Sequence, residues 1–462
     1  MLEDIKIDVM DIPRDQRSVN NSQLICESIM KYVQFATDPA GRLYYYEGGV
    51  YKPRGEEAAA RMYIKLLKAY DRASDWRPRR SEGLIEYIRM VAPPLLEKPD
   101  LYRINLMNGI YDLEREELQP SSSEYRTTIQ IPIAYDRNAE CPEWDQFLQD
   151  VFPQGVRLML ELIGICLVPF TGLQKCIVLV GSGSNGKSTF LNGLQAAVGL
   201  ENISNVSLHS LTNPMEKFSR ANIVGKLINV FGDLSSKKIE DAANFKPLTG
   251  EDRLTIEYKH KAPFSYTPFC KLLFSCNEII KSDDNSEGYK RRFIHIPFMK
   301  KFAVNPKKGK ELEYALSDPK ELSGLLNKVL PLINKVIEDG FTITPQIAEI
   351  IDNYHPIPDV TRKWLMDTLE YVEGAVLPSS RFYDYYCTHC QHSTEPFERG
   401  KLITYIKNLF PDAKAGVNKT INKQQVKCFI GLQMKDFNLQ RDIENTVYDD
   451  KFIGGAKYGD EI

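Results

Sequence analysis

The stretch Gly181-Ser182-Gly183-Ser184-Asn185-Gly186-Lys187-Ser188 carries the clearest chemistry in the sequence. It fits the spacing G-x-x-x-x-G-K-[ST] and lies between an apolar run, CIVLV, and a helical pattern, STFLNGLQAAVG. Glycines at these positions let backbone N–H groups turn inward around a phosphate, and the helix start adds partial positive charge. Lys187 would then contact the β- and γ-phosphates of a nucleoside triphosphate, and the Ser188 hydroxyl would ligate Mg²⁺. ATP and Mg²⁺ are the expected ligands, with 181–189, through Thr189, as the binding loop.

Such a loop needs an acid at the end of a neighbouring strand. KLINVFGD supplies Asp233 as the candidate for holding Mg²⁺ and activating water. CKLLFSCN ends in Asn277, a candidate for orienting that water, although asparagine also serves ordinary turns. In GYKRRFIHIPF, Arg291 and Arg292 open a further strand. An arginine supplied by a neighbouring subunit stabilises charge on a transferring phosphoryl group, whereas a basic run is also a common solvated face.

The elements that must position these residues follow from the pattern. From 141 to 305, apolar runs alternate with helical stretches, as expected for strands covered on both faces. The expected fold is an α/β P-loop (AAA+-like) ATPase core over 141–305. A mixed α/β N-terminal domain (1–140) precedes it, and a mostly α region (306–462) with a winged-helix-like unit follows. Within the first domain, RLYYYEGGVYKP and LYRINLMNGIYDLEREELQP read as hairpins, and EEAAARMYIKLLKAYDRA as an amphipathic helix. In the last region SSRFYDYYCTHC and ERGKLITYIKNLF read as helices, and VKCFIGLQMKDF as a hairpin wing.

Taken in order, GSGSNGKS, KLINVFGD, FSCN and RRFIHIPF resemble the motif set of the superfamily III helicases of viruses, phages and plasmids. FKPLTGEDRLTIEYKHKAPFSYTP, between Asp233 and Asn277, is similar to the segment where that family carries a channel hairpin tipped by Lys-His. The resemblance implies DNA contact by Lys259, His260 and Lys261, in keeping with basic loops that track a single strand. LYYYEGGVY, INLMNGIYDL, AYDRNAECPEWDQFL and KPLTGED resemble the phage/plasmid primase-helicase group, which includes satellite-phage and poxvirus NTPases. That likeness covers roughly 30–305. Relatives often carry a primase-polymerase module upstream. The residues ahead of the likeness leave no room for one and hold no Asp-x-Asp pair, so no primase activity is expected in this chain. Relatives also often have Glu or an acidic pair where this chain has Gly232-Asp233, which defines the water-activating base less firmly than the Mg²⁺ ligand. By the same resemblance Arg292 is the better arginine finger and Arg291 the alternative, and action in trans implies a ring, expected to be a hexamer.

The implied function is an ATP-dependent, ring-forming DNA helicase replicating a phage, plasmid or mobile element. It would move single-stranded DNA by channel hairpins and work on single-stranded and forked DNA beside a separate primase or polymerase. Two other classes fit the same loop: an origin-binding initiator ATPase without processive unwinding, and a P-loop ATPase that remodels proteins.

The composition agrees with an ordinary globular chain. It has 462 residues, 43% hydrophobic and 26% charged, and a formal net charge of −3, so any polyanion must be met by local basic patches. Nine cysteines suit a reducing cytosol better than a disulfide framework, and the phage and plasmid resemblance implies the cytoplasm of a bacterial host. No signal-peptide core is visible, and LMLELIGICLVPF is too short and interrupted to span a bilayer, so no membrane partner is expected. Cys387, His389, Cys390 and His392 lack a second ligand pair and are read as packing residues rather than a zinc site. Tyr44, Tyr45 and Tyr46 are read mainly as structural. Lys401, Lys407, Lys419 and Lys423 are candidates for duplex contact.

Overall fold

A computed structural model of the protein describes residues 22–234, 244–259, 262–277, 287–303, 305–353, 359–389, 398–410, 412–421 and 424–436. The described residues divide into two compact units. The first runs through Cys276 and resumes as far as Ala348; the second begins at Glu349, and Asn277 groups with it.

The first unit starts with the antiparallel sheet β1 (Phe35–Thr37), β2 (Leu43–Glu47) and β3 (Val50–Lys52). Helices Ser22–Tyr32, Gly55–Ala69 and Pro78–Val91 cover it, and Ile29, Phe35, Leu43, Met62, Leu66 and Ile88 form the core between them. The helix at Gly55 starts against the sheet: a Cβ there would lie 2.6 Å from the Leu43 carbonyl carbon. Glu56 in its first turn accepts the Leu43 N–H at 3.0 Å. The second expected hairpin is a three-stranded meander, β4 (Arg103–Leu106), β5 (Gly109–Asp112) and β6 (Glu117–Gln119).

Five parallel strands make the central sheet: β7 (Cys176–Val180), β8 (Ile203–Ser204), β9 (Ile228–Phe231), β12 (Lys271–Cys276) and β13 (Phe293–Pro297). Their order is β13-β7-β12-β9-β8. Every residue of β7 and β12 is buried, which explains why both read as unbroken apolar runs. Between β9 and β12 the chain makes a small antiparallel hairpin, β10 (Leu254–Ile256) with β11 (Phe264–Tyr266).

Helices Pro306–Leu316 and Pro319–Asp339 belong to this first unit, not to a separate region beginning at 306. The reason is packing. Trp144 is fully buried, donates its indole N–H to the Leu316 carbonyl at 2.9 Å, and meets Phe147 and Phe190 edge-on. Gly193 leaves room for that indole, since a Cβ would stand 2.7 Å from the ring. Gly324 lets the second helix touch the connector backbone, where a Cβ would lie 2.2 Å from the Glu140 carbonyl carbon.

Among the described residues of 306–462, helical residues outnumber strand residues, as expected, and the second unit adds a sheet to them. It holds helices Asp359–Thr368, Ser379–His389 and Arg399–Leu409, together with a three-stranded antiparallel sheet. Strands β14 (Leu369–Pro378), β15 (Lys414–Ile421) and β16 (Gln424–Met434) pair in the order β14-β16-β15. VKCFIGLQM is one strand of that sheet rather than both arms of a hairpin. Leu365, Phe382, Tyr386, Leu402, Ile406 and Phe429 fill its core. No helix among the described residues is long and apolar enough to cross a membrane.

One buried charge carries a measurable consequence. Lys271, at the start of β12, is 5% exposed and donates its ammonium to the carbonyls of Val168 and Phe269. Burial lowers its pKa to about 8, against the smaller opposing pull of Cys166 and Cys270. A folded-state pKa below the unfolded value means the unfolded chain holds the extra proton between the two. Wild-type stability should therefore rise with pH between about 8 and about 10.4, on the order of 3 kcal/mol in all, and Lys271→Met should flatten that rise. Denaturant unfolding of both proteins at several pH values checks this.

Candidate functional site

The ends of the central strands define the site. Val180 is level with Cys276 on one side and Pro297 on the other, and Phe274 is level with Phe231. The segments after β7, β9, β12 and β13 therefore leave the sheet at one edge. Gly181 begins the first, Gly232-Asp233 the second, Asn277 the third and Phe298 the fourth.

The glycine loop is held by its neighbours. Gly181 donates its N–H to the Cys276 carbonyl at 3.3 Å, and Phe302 donates its own to the Ser184 carbonyl at 2.9 Å. Gly183 (φ 91°), Ser184 (φ 51°) and Gly186 (φ 87°) are left-handed, which turns the loop back into helix Lys187–Val198. Gly181 has a separate, steric role: a Cβ there would stand 1.9 Å from Asn185 Nδ2 and 2.8 Å from the Phe298 carbonyl.

Asn185 was expected to hold ligand; its side chain has a structural task as well. It is 3% exposed and donates Nδ2 to the Phe298 carbonyl at 2.8 Å. Its Oδ1 accepts from Lys187 Nζ at 3.0 Å, and the same ammonium donates to the Gly181 carbonyl at 2.5 Å. Burial lowers the Lys187 pKa, while Cys276 and the Asp233 carboxylate act in the opposite direction. Asp233 thus lies within electrostatic reach of Lys187. It is exposed, with a left-handed backbone at φ 51°. Ser182 and Thr189 are half-buried, and Ser188 is exposed. A hydroxyl and a carboxylate, both open, are hard oxygen donors of the kind Mg²⁺ prefers, so the donor set fits that ion. Ser275, 6% exposed at the end of β12, accepts the Leu234 N–H on its carbonyl at 2.8 Å and so fixes the turn after Asp233. That acceptor is a backbone carbonyl, so no residue type in the sequence could announce it. Asn277 is exposed directly after β12.

The two arginines lie at the other end. Phe293 is level with Cys176, so Arg291 and Arg292 enter the sheet about 13 Å from the glycine loop, one β7 length away. Neither belongs to its own chain's loop. Family likeness favoured Arg292 as the outward residue, and its placement differs. Arg292 is 7% exposed, donating to Thr249 Oγ1 at 3.0 Å and the Gly288 carbonyl at 3.1 Å. Burial and then the charge of Arg291 lower its pKa, and Asp252 opposes them. Arg291 is exposed and donates to Gln174 Oε1 at 3.1 Å.

Lys259 is exposed in the turn between β10 and β11, while His260 and Lys261 lie outside the described residues. Of the residues considered for zinc, Cys387 packs against the second unit's core, and His389 stacks on Tyr385 with ring centroids 4.0 Å apart. Cys390 and His392 are outside the described residues. No cluster of three potential metal-ligating side chains occurs among the described residues. Lys407 and Lys419 are exposed in the second unit, and Lys423 is outside the described residues. Tyr44, Tyr45 and Tyr46 are all half-buried.

Comparison with known proteins adds the following. A family described as "D5 N terminal like" matches residues 26–153, and a family of unknown function, DUF5906, matches residues 179–292. A protein of Acanthamoeba polyphaga mimivirus named "Putative helicase L207/L206" is 28% identical over 227 residues. That stretch is 46% of this chain and 23% of the mimivirus protein, so the chain spans under a quarter of that relative's length. The carboxy-terminal region of NrS-1 in an apo form is 13% identical, with a TM-score of 0.42, covering 88% of this chain and 98% of that one. A JCV helicase bound to a small molecule is 18% identical, with a TM-score of 0.30, covering 48% of this chain and 62% of that one.

The loop geometry yields a direct expectation. Gly181→Ala should push Asn185 off the Phe298 carbonyl and cost Lys187 its Oδ1 acceptor. Affinity for a fluorescent ATP analogue should fall about ten-fold or more, and the broken buried hydrogen bonds should lower the melting temperature by about a few degrees. Titration of both proteins by fluorescence checks it.

Proposed function

The chain belongs to the phage and viral superfamily III-type primase-helicase family, and from that premise we propose that it is an ATP-driven DNA helicase of replication. The observation that carries the proposal is the placement of Lys187, Ser188 and Asp233 at one edge of the parallel sheet, behind a left-handed glycine loop. In this reading the loop amides and Lys187 hold the triphosphate. Lys187 exchanges its intraloop carbonyl and amide acceptors for phosphate oxygens. Ser188 and Asp233 hold Mg²⁺, which supplies neutralisation of phosphate charge when bound. Asp233 or Asn277 orients the attacking water.

The distance between the loop and the arginine pair supports an assembly in which one copy completes the site of the next. We assign Arg291, the exposed member, to the neighbour's phosphates, whereas Arg292 is held inside its own subunit by Thr249 and the Gly288 carbonyl. A closed ring of copies satisfies every such interface at once. The turn bearing Lys259 is then the element that meets single-stranded DNA.

A forked-duplex assay with ATP and Mg²⁺ tests the proposal. Wild type should unwind the fork. Lys187→Ala should lose hydrolysis and unwinding together, by about 100-fold or more. Lys259→Ala should lose unwinding and the DNA-dependent part of the hydrolysis rate. Hydrolysis that never responds to DNA, with an intact fork, would sink the helicase reading in favour of an initiator or a protein remodeller.

A further inference from the structure

The hairpin that presents Lys259 has two strands of three residues each, Leu254–Ile256 and Phe264–Tyr266. A two-stranded hairpin of that size does not hold its shape alone in water. Three of the contacts at its base bear on the residues next to Lys259. Tyr258 stacks on Phe264, with ring centroids 5.5 Å apart and planes 20° from parallel. Lys217 pairs with Glu257 at 2.8 Å. The third contact comes from the N-terminal sheet: the Arg42 guanidinium lies over the Tyr258 ring, 5.2 Å from its centroid.

Arg42 is fixed before it reaches the tyrosine. Its Nε donates to Asp38 Oδ2 at 2.5 Å, and its backbone N–H to Asp38 Oδ1 at 2.8 Å. The Asp38 side chain is 9% exposed and also accepts the Ala40 N–H at 3.0 Å. The turn before β2 thus places the guanidinium, and the guanidinium lies over the ring immediately preceding Lys259. A second tie runs in parallel, from Lys98 to Glu251 ahead of β10, at 3.6 Å.

We propose that the Asp38–Arg42–Tyr258 stack is a positioning element through which the N-terminal domain aims the Lys259 turn at single-stranded DNA. The proposal rests on the reading that this hairpin meets DNA. Arg42 acts through Tyr258 and does not itself bind the strand. Its side chain is half exposed, so the stack adds little to the stability of the whole unit. It is strong enough to shift the population of a short turn by about three- to five-fold. Planarity matters as much as charge: a guanidinium covers an aromatic face in a way that an ammonium does not.

The test uses the full chain and a fluorescein-labelled oligothymidylate, reading both its affinity and the ratio of DNA-stimulated to DNA-free ATP hydrolysis. Arg42→Ala should weaken binding about three- to five-fold and Tyr258→Leu at least as much, and each should lower that ratio, with melting temperature held. The double variant should be no worse than Tyr258→Leu alone, because that variant already removes the Arg42 stack. Tyr258→Phe should keep wild-type behaviour, and Arg42→Lys should fall between wild type and Arg42→Ala. Full rescue by Arg42→Lys with additive losses in the double variant would make Arg42 a phosphate contact and overturn the proposal. So would unchanged affinity and ratio in Arg42→Ala and Tyr258→Leu. A wild-type protein that neither binds the oligonucleotide nor responds to it removes the DNA reading beneath the proposal, a result distinct from those two.

Discussion

A parallel sheet buried on both faces imposes the constraint on which the rest of this protein depends. Parallel strands send every carboxyl end to one edge and every amino end to the other. The glycine loop, Asp233 and Ser275 therefore gather at one edge, while Arg291 and Arg292 collect at the opposite one. No side-chain rearrangement within one copy brings the two sets together, because the length of β7 separates them. Within the loop edge, tightness comes from Asn185, which ties Lys187 to the segment after β13. In the proposed mechanism, that tie keeps an ammonium oriented in a buried setting where its charge is costly.

Much of this was legible in the sequence because four of the five central strands are short, largely apolar runs. CIVLV is β7 without remainder, and KLLFSC, INVF and FIHIP are β12, β9 and β13. The glycine loop was legible because its spacing carries its own physics, positive φ at Gly183 and Gly186 before a helix start. The first domain's hairpins were legible from Gly48-Gly49 and from Asn108-Gly109, although β1 and β6, of three residues each, were not. β8 has two residues and no pattern to read.

What sequence did not reveal was set by contacts distant along the chain. β14 has four exposed residues in a row, 371–374, so no alternation announces a strand; pairing with β16 makes it one. The helices after 305 look like the start of a new region because a basic stretch precedes them. Trp144 and Gly324 tie them to the first unit instead. Adjacent in sequence and alike in charge, Arg291 and Arg292 were separable only by their surroundings. Thr249 and Gly288 draw one inward and leave the other in solvent. The Arg42–Tyr258 stack joins residues 216 positions apart, beyond any local signal.

The central claim is that one copy's Lys187 loop works with another copy's arginine. It is tested most directly by mixing two inactive variants, Lys187→Ala and Arg291→Ala, and measuring ATP hydrolysis. In a mixed assembly, some interfaces pair the intact loop of an Arg291→Ala subunit with the intact arginine of a Lys187→Ala subunit. The account predicts hydrolysis well above the sum of the two variants measured separately, rising to a maximum at an intermediate ratio. Hydrolysis equal to that sum at every ratio, in mixtures shown to co-assemble, would contradict it.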